Sequence, residues 1–186
     1  MKPCIFVGPD GVGKTALTEL VAKVLRDRAI RYQLVTPPAS LDKFERGLKG
    51  VGWALREVTT WTDSEGGLLI YDRFPIPDEF IYNDNMNTLS MLDAVYQMIE
   101  VSGSVRPALV YMTYSDIDAV SEINDPEVGL GRLKVIYHLY ERWFERFAEY
   151  YNPVIKVTRT YFEEHHAKIL VDTLLGLPGF EEVRRG

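Results

Sequence analysis

Apolar residues along this chain follow two rhythms that alternate. Short, mostly apolar runs lie at residues 3–7 (PCIFV), 31–35 (RYQLV), 68–71 (LLIY), 108–113 (ALVYMT) and 154–157 (VIKV). Between them apolar positions return every three or four residues, as at Leu17, Leu20, Val21, Val24 and Leu25. The first rhythm predicts strands and the second helices packed on one face. The chain therefore reads as a strand to Val7, then a helix from Lys14 to about Arg28. A second strand follows and is ended by Thr36-Pro37-Pro38, which can neither continue a ladder nor open a helix smoothly. A helix is expected from about Leu41 to Thr62, with Gly47 to Gly52 as the place where it would break. A strand at 68–71 closes on Asp72-Arg73, and a helix spans about 88–102. After the strand at 108–113 comes an acidic, turn-rich stretch, then a long aromatic helix from Leu130 to Tyr150. A strand at 154–157, a helix from Phe162 to Leu175 and a loosely held tail over 178–186 complete the reading.

The runs lack polar alternation, as strands do when helices cover both faces of a parallel sheet. No internal repeat and no linker divides the chain. The expectation is one α/β domain over residues 1–186, a three-layer α/β/α fold around five parallel strands.

The first strand runs into GPDGVGKT at residues 8–15. The spacing Gly8-x4-Gly13-Lys14-Thr15 is the P-loop (Walker A) pattern, and it sits between a strand and a helix as that pattern requires. Glycines let several backbone N–H groups turn toward one anion, and the helix start adds its positive end. Gly8, Asp10, Gly11, Val12, Gly13, Lys14, Thr15 and Ala16 are expected to wrap the phosphates of ATP. Lys14 would reach the β- and γ-phosphates and the Thr15 hydroxyl would ligate Mg²⁺. No Asn/Thr-Lys-x-Asp guanine signature follows, which argues against a switch GTPase.

A second constellation, Tyr71-Asp72-Arg73-Phe74-Pro75, ends the strongest strand. Ligands of open parallel sheets bind at the carboxyl ends of strands, so Asp72 and Arg73 should face the P-loop cleft. A carboxylate there can organise Mg²⁺ or accept a proton from an attacking hydroxyl. A guanidinium can bridge donor and acceptor phosphates.

Composition narrows the classes further. The chain has 186 residues, a net charge of −6 and one cysteine, Cys4. The charge disfavours broad binding to nucleic acid, although a local basic cleft would survive it. One cysteine leaves no internal disulfide and no cysteine cluster for zinc, which fits a cytoplasmic protein. No apolar run approaches the roughly 18 residues of a membrane span, and the first residues do not read as a signal peptide. His138, His165 and His166 lack partners at a ligand spacing. Tyr137, Tyr140, Trp143, Phe144 and Phe147 have helical spacing and read as core.

GPDGVGKT with a strand-end Asp-Arg-aromatic resembles the thymidylate kinase family of nucleoside monophosphate kinases. YDRFPIP is also similar to an Asp-Arg-His-Pro stretch of the related viral thymidine kinases. The sharp matches cover residues 8–15 and 71–75, with a softer one near 53–57. The resemblance implies that Asp10, the acid within the P-loop, contacts a sugar hydroxyl of the acceptor. It implies that Arg56 holds a pyrimidine base, with Trp53 or Phe44 as stacking plane. Trp53 reads equally well as core. Arg46 is a candidate for the acceptor phosphate, and Phe80 and Tyr82 for closing the acceptor pocket.

The chain departs from that family at two places. The family usually has Arg-Pro just after strand two, where TPPASLDKFERG stands here. The lid-like segment 115–131 holds five acids and neither Arg nor Lys, so the first cation after it is Arg132. Positive charge at the transferring phosphoryl group must then come from Arg132 or from Arg73 with Lys14 and Mg²⁺. The sequence points to an ATP- and Mg²⁺-dependent phosphotransferase acting on a thymidylate-type deoxynucleoside monophosphate. Two alternatives stay open: a kinase acting on a hydroxyl of a deoxynucleoside or modified pyrimidine, free or in DNA, and a nucleotide-binding protein without turnover. Expected partners are small nucleotide substrates and no membrane, with a homodimer left open.

Overall fold

The computed structural model describes residues 1–36, 46–61, 67–74, 81, 86–101, 105–118, 120, 129–158 and 162–176. Strands β1 (Lys2–Val7), β2 (Tyr32–Val35), β3 (Leu68–Asp72), β4 (Ala108–Thr113) and β5 (Val154–Thr158) alternate with helices. The helices are α1 (Lys14–Asp27), α2 (Arg46–Thr60), α3 (Met86–Val101), α4 (Leu130–Phe147) and α5 (Glu164–Gly176). A short 3₁₀ turn over Ala148–Tyr150 prolongs α4. The five strands form one parallel sheet in the order β2-β3-β1-β4-β5. This is the α/β/α architecture that the alternation of rhythms predicts.

Burial follows strand position. Every residue of β1, β3 and β4 is buried, since each of these strands has a neighbour on both sides and helices above and below. β2 and β5 are the sheet edges, and their residues are half-buried or exposed. The expectation of strands buried throughout thus holds for the centre and fails at the edges. α2 runs unbroken through Gly47, Gly50 and Gly52, because its apolar face is held by packing: Val51, Trp53, Ala54 and Val58 are all buried.

Pairing fixes which residues share a face. Ile5 pairs Tyr71 and Val7 pairs Tyr111, and these tyrosines meet α2 and α4. Phe6 pairs Asp72 and Val110, and Val110 in turn pairs Ile155. That face is covered by α1 and α5: Ile155 and Val157 line a groove with Leu17 of α1 and Leu170 of α5. Exposed ion pairs join these two helices, Lys23 to Glu164 and Arg28 to Asp172 at 2.6 Å. Pairs so exposed contribute little by themselves.

Under α4 the core carries a polar cluster. Tyr111 and Thr113 donate to one oxygen of Glu141 at 2.8 and 2.9 Å. Lys156 of β5 reaches the other oxygen at 3.2 Å and lies 5.5 Å from the Tyr111 ring centre. Burial opposes the charge on Glu141, but the bonds from Tyr111, Thr113 and Lys156 outweigh it and hold the carboxyl below its usual range. A depressed carboxyl stabilises the fold above its unfolded value of about 4.3, and that contribution is lost as pH falls through the folded value. Glu141→Ala is expected to cost about 1–3 kcal/mol near neutral pH, because two buried hydroxyls lose their acceptor. In denaturant titrations the gap between wild type and Glu141→Gln should narrow on going from neutral to acidic pH; a gap that widens on acidification contradicts the assignment.

Candidate functional site

The P-loop leaves the end of β1 against the backbone of β4. Gly8 has φ +148°, and a Cβ there would lie 2.0 Å from the Met112 carbonyl oxygen, so no side chain fits. Gly13, with φ +92°, caps α1, and a Cβ on it would lie 2.9 Å from the ring of Phe162. The first turn of α1 contains no acid, so nothing offsets the positive end of the helix dipole there. Val12 is fully buried, which anchors the loop in the core. Tyr114, directly after β4, donates its hydroxyl to the Asp10 carbonyl at 2.7 Å.

Lys14 is 4% exposed and folds back over the loop. Its ammonium donates to the carbonyls of Gly8 at 2.5 Å and Pro9 at 2.8 Å. Burying a charge is costly, and the carbonyl dipoles of Gly8 and Pro9 offset part of that cost. Gly11, Gly13, Lys14, Thr15, Ala16 and Arg73 line a cavity of about 220 Å³. The structure thus brings the P-loop cation and the guanidinium of β3 to one hollow at the start of α1.

Arg73 arrives there through an unusual backbone. Its φ is +75°, in the left-handed region that side chains with a Cβ rarely adopt. Its N–H donates to the Phe6 carbonyl at 3.2 Å, continuing the β1–β3 ladder one step past the last strand residue. Its guanidinium lies 3.4 Å from Asp10 Oδ1. The P-loop acid therefore pairs with the strand-end arginine that lines the same hollow as Lys14. Asp72 is 8% exposed. Its Oδ1 is the one buried side-chain polar atom without a hydrogen-bond partner among the described residues.

An orphaned buried carboxylate oxygen needs a donor or a cation. Asp72 and the exposed Thr15 hydroxyl offer hard oxygen ligands, the donor type Mg²⁺ takes beside substrate phosphates. Among the described residues no cluster of three or more His, Cys, Asp or Glu side chains is placed to hold a metal. That fits a site of one or two protein oxygens completed by phosphate and water, not a cage.

Of the residues expected to meet an acceptor, α2 carries Arg56, exposed, and Trp53, 6% exposed. The Trp53 ring packs 6.2 Å from Tyr71 and 5.7 Å from Phe74, so its place is in the core beside the strand end. Arg46 is the first residue of α2. Phe44, Phe80 and Tyr82 lie outside the described residues, as does most of the lid-like segment. Arg132 stands exposed in the first turn of α4 and does not line the P-loop hollow. Lys134 pairs with Asp118 at 2.7 Å and holds that exposed carboxyl below its usual range. Two features escaped the sequence reading. Tyr114 follows the carboxyl end of β4, a position that flags ligand proximity, but nothing in the residue type shows that it grips the P-loop. The bond from Tyr71 to Glu57 joins residues on different elements and leaves no local signal.

Compared as a sequence, the chain matches no protein-family model and no curated protein. Compared as a structure, it is similar to deoxyadenosine kinase from M. mycoides with bound dATP, at TM-score 0.60 and 12% identity over 94% of this chain and 99% of that one. The dCTP-bound form of that enzyme aligns at TM-score 0.59 and 15% identity, over 95% and 100% of the two chains. YorR protein from Bacillus subtilis, in complex with phosphorylated GDP, aligns at TM-score 0.57 and 15% identity over 94% and 97%. At such identities the likeness speaks to the fold. The chain shares the fold of these structures, in its case a parallel five-stranded α/β/α sandwich, along nearly its whole length.

Proposed function

We propose that the protein transfers the γ-phosphoryl group of Mg²⁺-bound ATP to the 5′-hydroxyl of a deoxynucleoside. The observation that carries this reading is the Asp72 oxygen, buried and unpartnered beside Arg73 at the end of β3. A phosphate acceptor brings its own ionised oxygen, whereas a hydroxyl needs a base within reach of its proton. The acid-rich segment 115–131 also suits a neutral acceptor better than a charged one. The structural similarity to deoxyadenosine kinase supports the same class of acceptor.

The transfer divides among named groups. Loop N–H groups and the start of α1 hold the β- and γ-phosphates, with Lys14 leaving its carbonyl contacts to meet them. Asp72 takes the hydroxyl proton while the acceptor oxygen bonds to the γ-phosphorus. The bond to the β–γ bridging oxygen breaks, and ADP departs with the electron pair. Arg73 faces the charge that spreads over the transferring oxygens. Thr15 would hold Mg²⁺, which when bound would neutralise charge on the phosphates; with a phosphate acceptor, which needs no base, Asp72 would be a second ligand for it. Asp10 pairs with Arg73 at 3.4 Å, and its carboxylate is the acceptor type that a sugar hydroxyl needs.

A second reading, transfer to a thymidylate-type monophosphate, is favoured by the paired Asp10 and Arg73, the same two positions that carry the resemblance to the thymidylate kinases. An ADP-release assay over thymidine, deoxyadenosine, deoxycytidine, their monophosphates and 5-hydroxymethyl pyrimidine nucleosides separates the two. Phosphorylation of nucleosides with Asp72→Asn losing about 10²–10⁴-fold in kcat is the expected result. Turnover of monophosphates only, with a small Asp72→Asn effect, would establish the second reading instead. Lys14→Ala should abolish turnover and weaken ATP binding measured by calorimetry. Arg73→Gly relieves a left-handed φ that costs about 1–2 kcal/mol for a residue with a Cβ, so its melting temperature should hold or rise while turnover falls about 10³-fold or more. Arg73→Gly melting well below wild type would show that the side chain serves the fold.

A further inference from the structure

Arg73 can sit at φ +75° only if its surroundings impose that conformation. The two aromatic residues that flank the Asp72-Arg73 pair supply the constraint. Tyr71, just before Asp72, and Phe74, just after Arg73, are both fully buried. Their rings lie 5.3 Å apart, edge to face, and both touch Trp53 and Trp61 at 5.7–6.2 Å. The chain thus leaves the ring cluster at Tyr71, passes through the buried Asp72 to Arg73 at the P-loop hollow, and re-enters the cluster at Phe74.

Apolar packing alone would leave this turn free to slide, because rings tolerate small shifts. A polar chain removes that freedom. Trp61 donates its indole N–H to the Tyr71 hydroxyl at 2.8 Å, and Tyr71 donates to Glu57 Oε2 at 2.9 Å. Indole can only donate, so the tyrosine oxygen must accept from Trp61 and spend its own proton on Glu57. Burial, reinforced by the nearby Glu57 charge, pushes the Tyr71 phenol well above its usual range and keeps that proton in place. Both partners come from the end of α2: Glu57 sits in its last turn and Trp61 follows it directly. Arg56, exposed toward solvent, is the residue before Glu57.

We infer that Glu57, Tyr71 and Trp61 form a strut that positions Arg73 in the phosphate cleft and sets its distance from the acceptor helix α2. Glu57 and Tyr71 touch no substrate in this scheme; they act through Arg73. The kinetic consequence rests on the phosphotransfer reading above, whereas the geometric one does not.

The test measures both on the full chain. Wild type, Tyr71→Phe, Glu57→Ala and Glu57→Gln are assayed for turnover on the acceptor panel and for ATP affinity. The Arg73 Nε–H signal is followed by ¹⁵N NMR and identified by its loss in Arg73→Lys. Tyr71→Phe keeps the ring packing, and Glu57→Gln keeps an oxygen that accepts from Tyr71. Tyr71→Phe and Glu57→Ala should lose about tenfold to hundredfold in kcat through misplacement of a charge-stabilising group, with ATP affinity little changed, and Glu57→Gln should restore most of it. Adding Tyr71→Phe to Arg73→Ala should cost nothing more, as expected for residues acting through one group. The Arg73 signal should shift or broaden in Tyr71→Phe and Glu57→Ala and stay in place in Glu57→Gln. An Arg73 signal unchanged in all three variants overturns the strut, as does an additive loss in the double variant. If wild type phosphorylates no acceptor, the phosphotransfer reading fails, and the Arg73 signal alone decides the strut.

Discussion

One step beyond the last residue of β3, the backbone N–H of Arg73 bonds the carbonyl of Phe6. Everything at the site depends on that register. Phe6 pairs Asp72, so the P-loop that follows Val7 and the turn that follows Asp72 leave the sheet side by side. Side chains alternate along a strand, and a slip of one residue would put Asp72 on the face of α2 and its neighbour Tyr71 on the face of α1. The fully buried runs of β1, β3 and β4 prevent such a slip, because it would also move every core residue to the wrong layer.

The charges at the site are arranged against their own comfort. Lys14 is buried, its ammonium held against the carbonyl dipoles of Gly8 and Pro9. Asp72 is buried with one oxygen unpartnered. Arg73 is held in a left-handed backbone. Each is a local cost, and such costs persist where the surrounding packing is strong enough to impose them. Here the packing is aromatic: Trp53, Trp61, Tyr71 and Phe74 on the acceptor side, and Tyr96, Trp143, Tyr151 and Phe147 beneath α4. The Asp10–Arg73 pair, with the guanidinium more than a third exposed, is too wet to hold the turn by itself. It orients the arginine that the backbone has already delivered.

Electrostatics at a distance point the same way. To serve the proposed triphosphate, a chain of net charge −6 must concentrate its positive potential locally. Lys14, Arg73 and the acid-free first turn of α1 do so around a hollow of about 220 Å³. At the other side of the cleft, Lys134 is occupied by Asp118 and Arg132 faces solvent. Among the described residues, the cationic character of the site thus resides in the P-loop and the end of β3.

The amino-acid pattern by itself determined the layer architecture, the order of elements and the place of the phosphate loop. Hydrophobic period and glycine spacing are local properties, and local properties are written in consecutive residues. It also placed Asp72 and Arg73 at a strand end. It left undecided what depends on residues distant in the chain meeting. Asp10 reads as a sugar ligand by resemblance, with a solvated loop acid as the lesser alternative, and nothing local shows that β3 brings Arg73 to 3.4 Å from it. Trp53 shares a helical face with Arg56 and reads equally as stacking plane or core, until the rings of Tyr71 and Phe74 close over it. β5 reads as a buried strand until the strand order leaves it at the edge. The left-handed turn at Arg73 has no glycine to announce it. Only tertiary contacts impose that backbone: Tyr71 and Phe74, which flank the Asp72-Arg73 pair, pack in one ring cluster with the end of α2, and Tyr71 is hydrogen-bonded to Glu57 and Trp61 there.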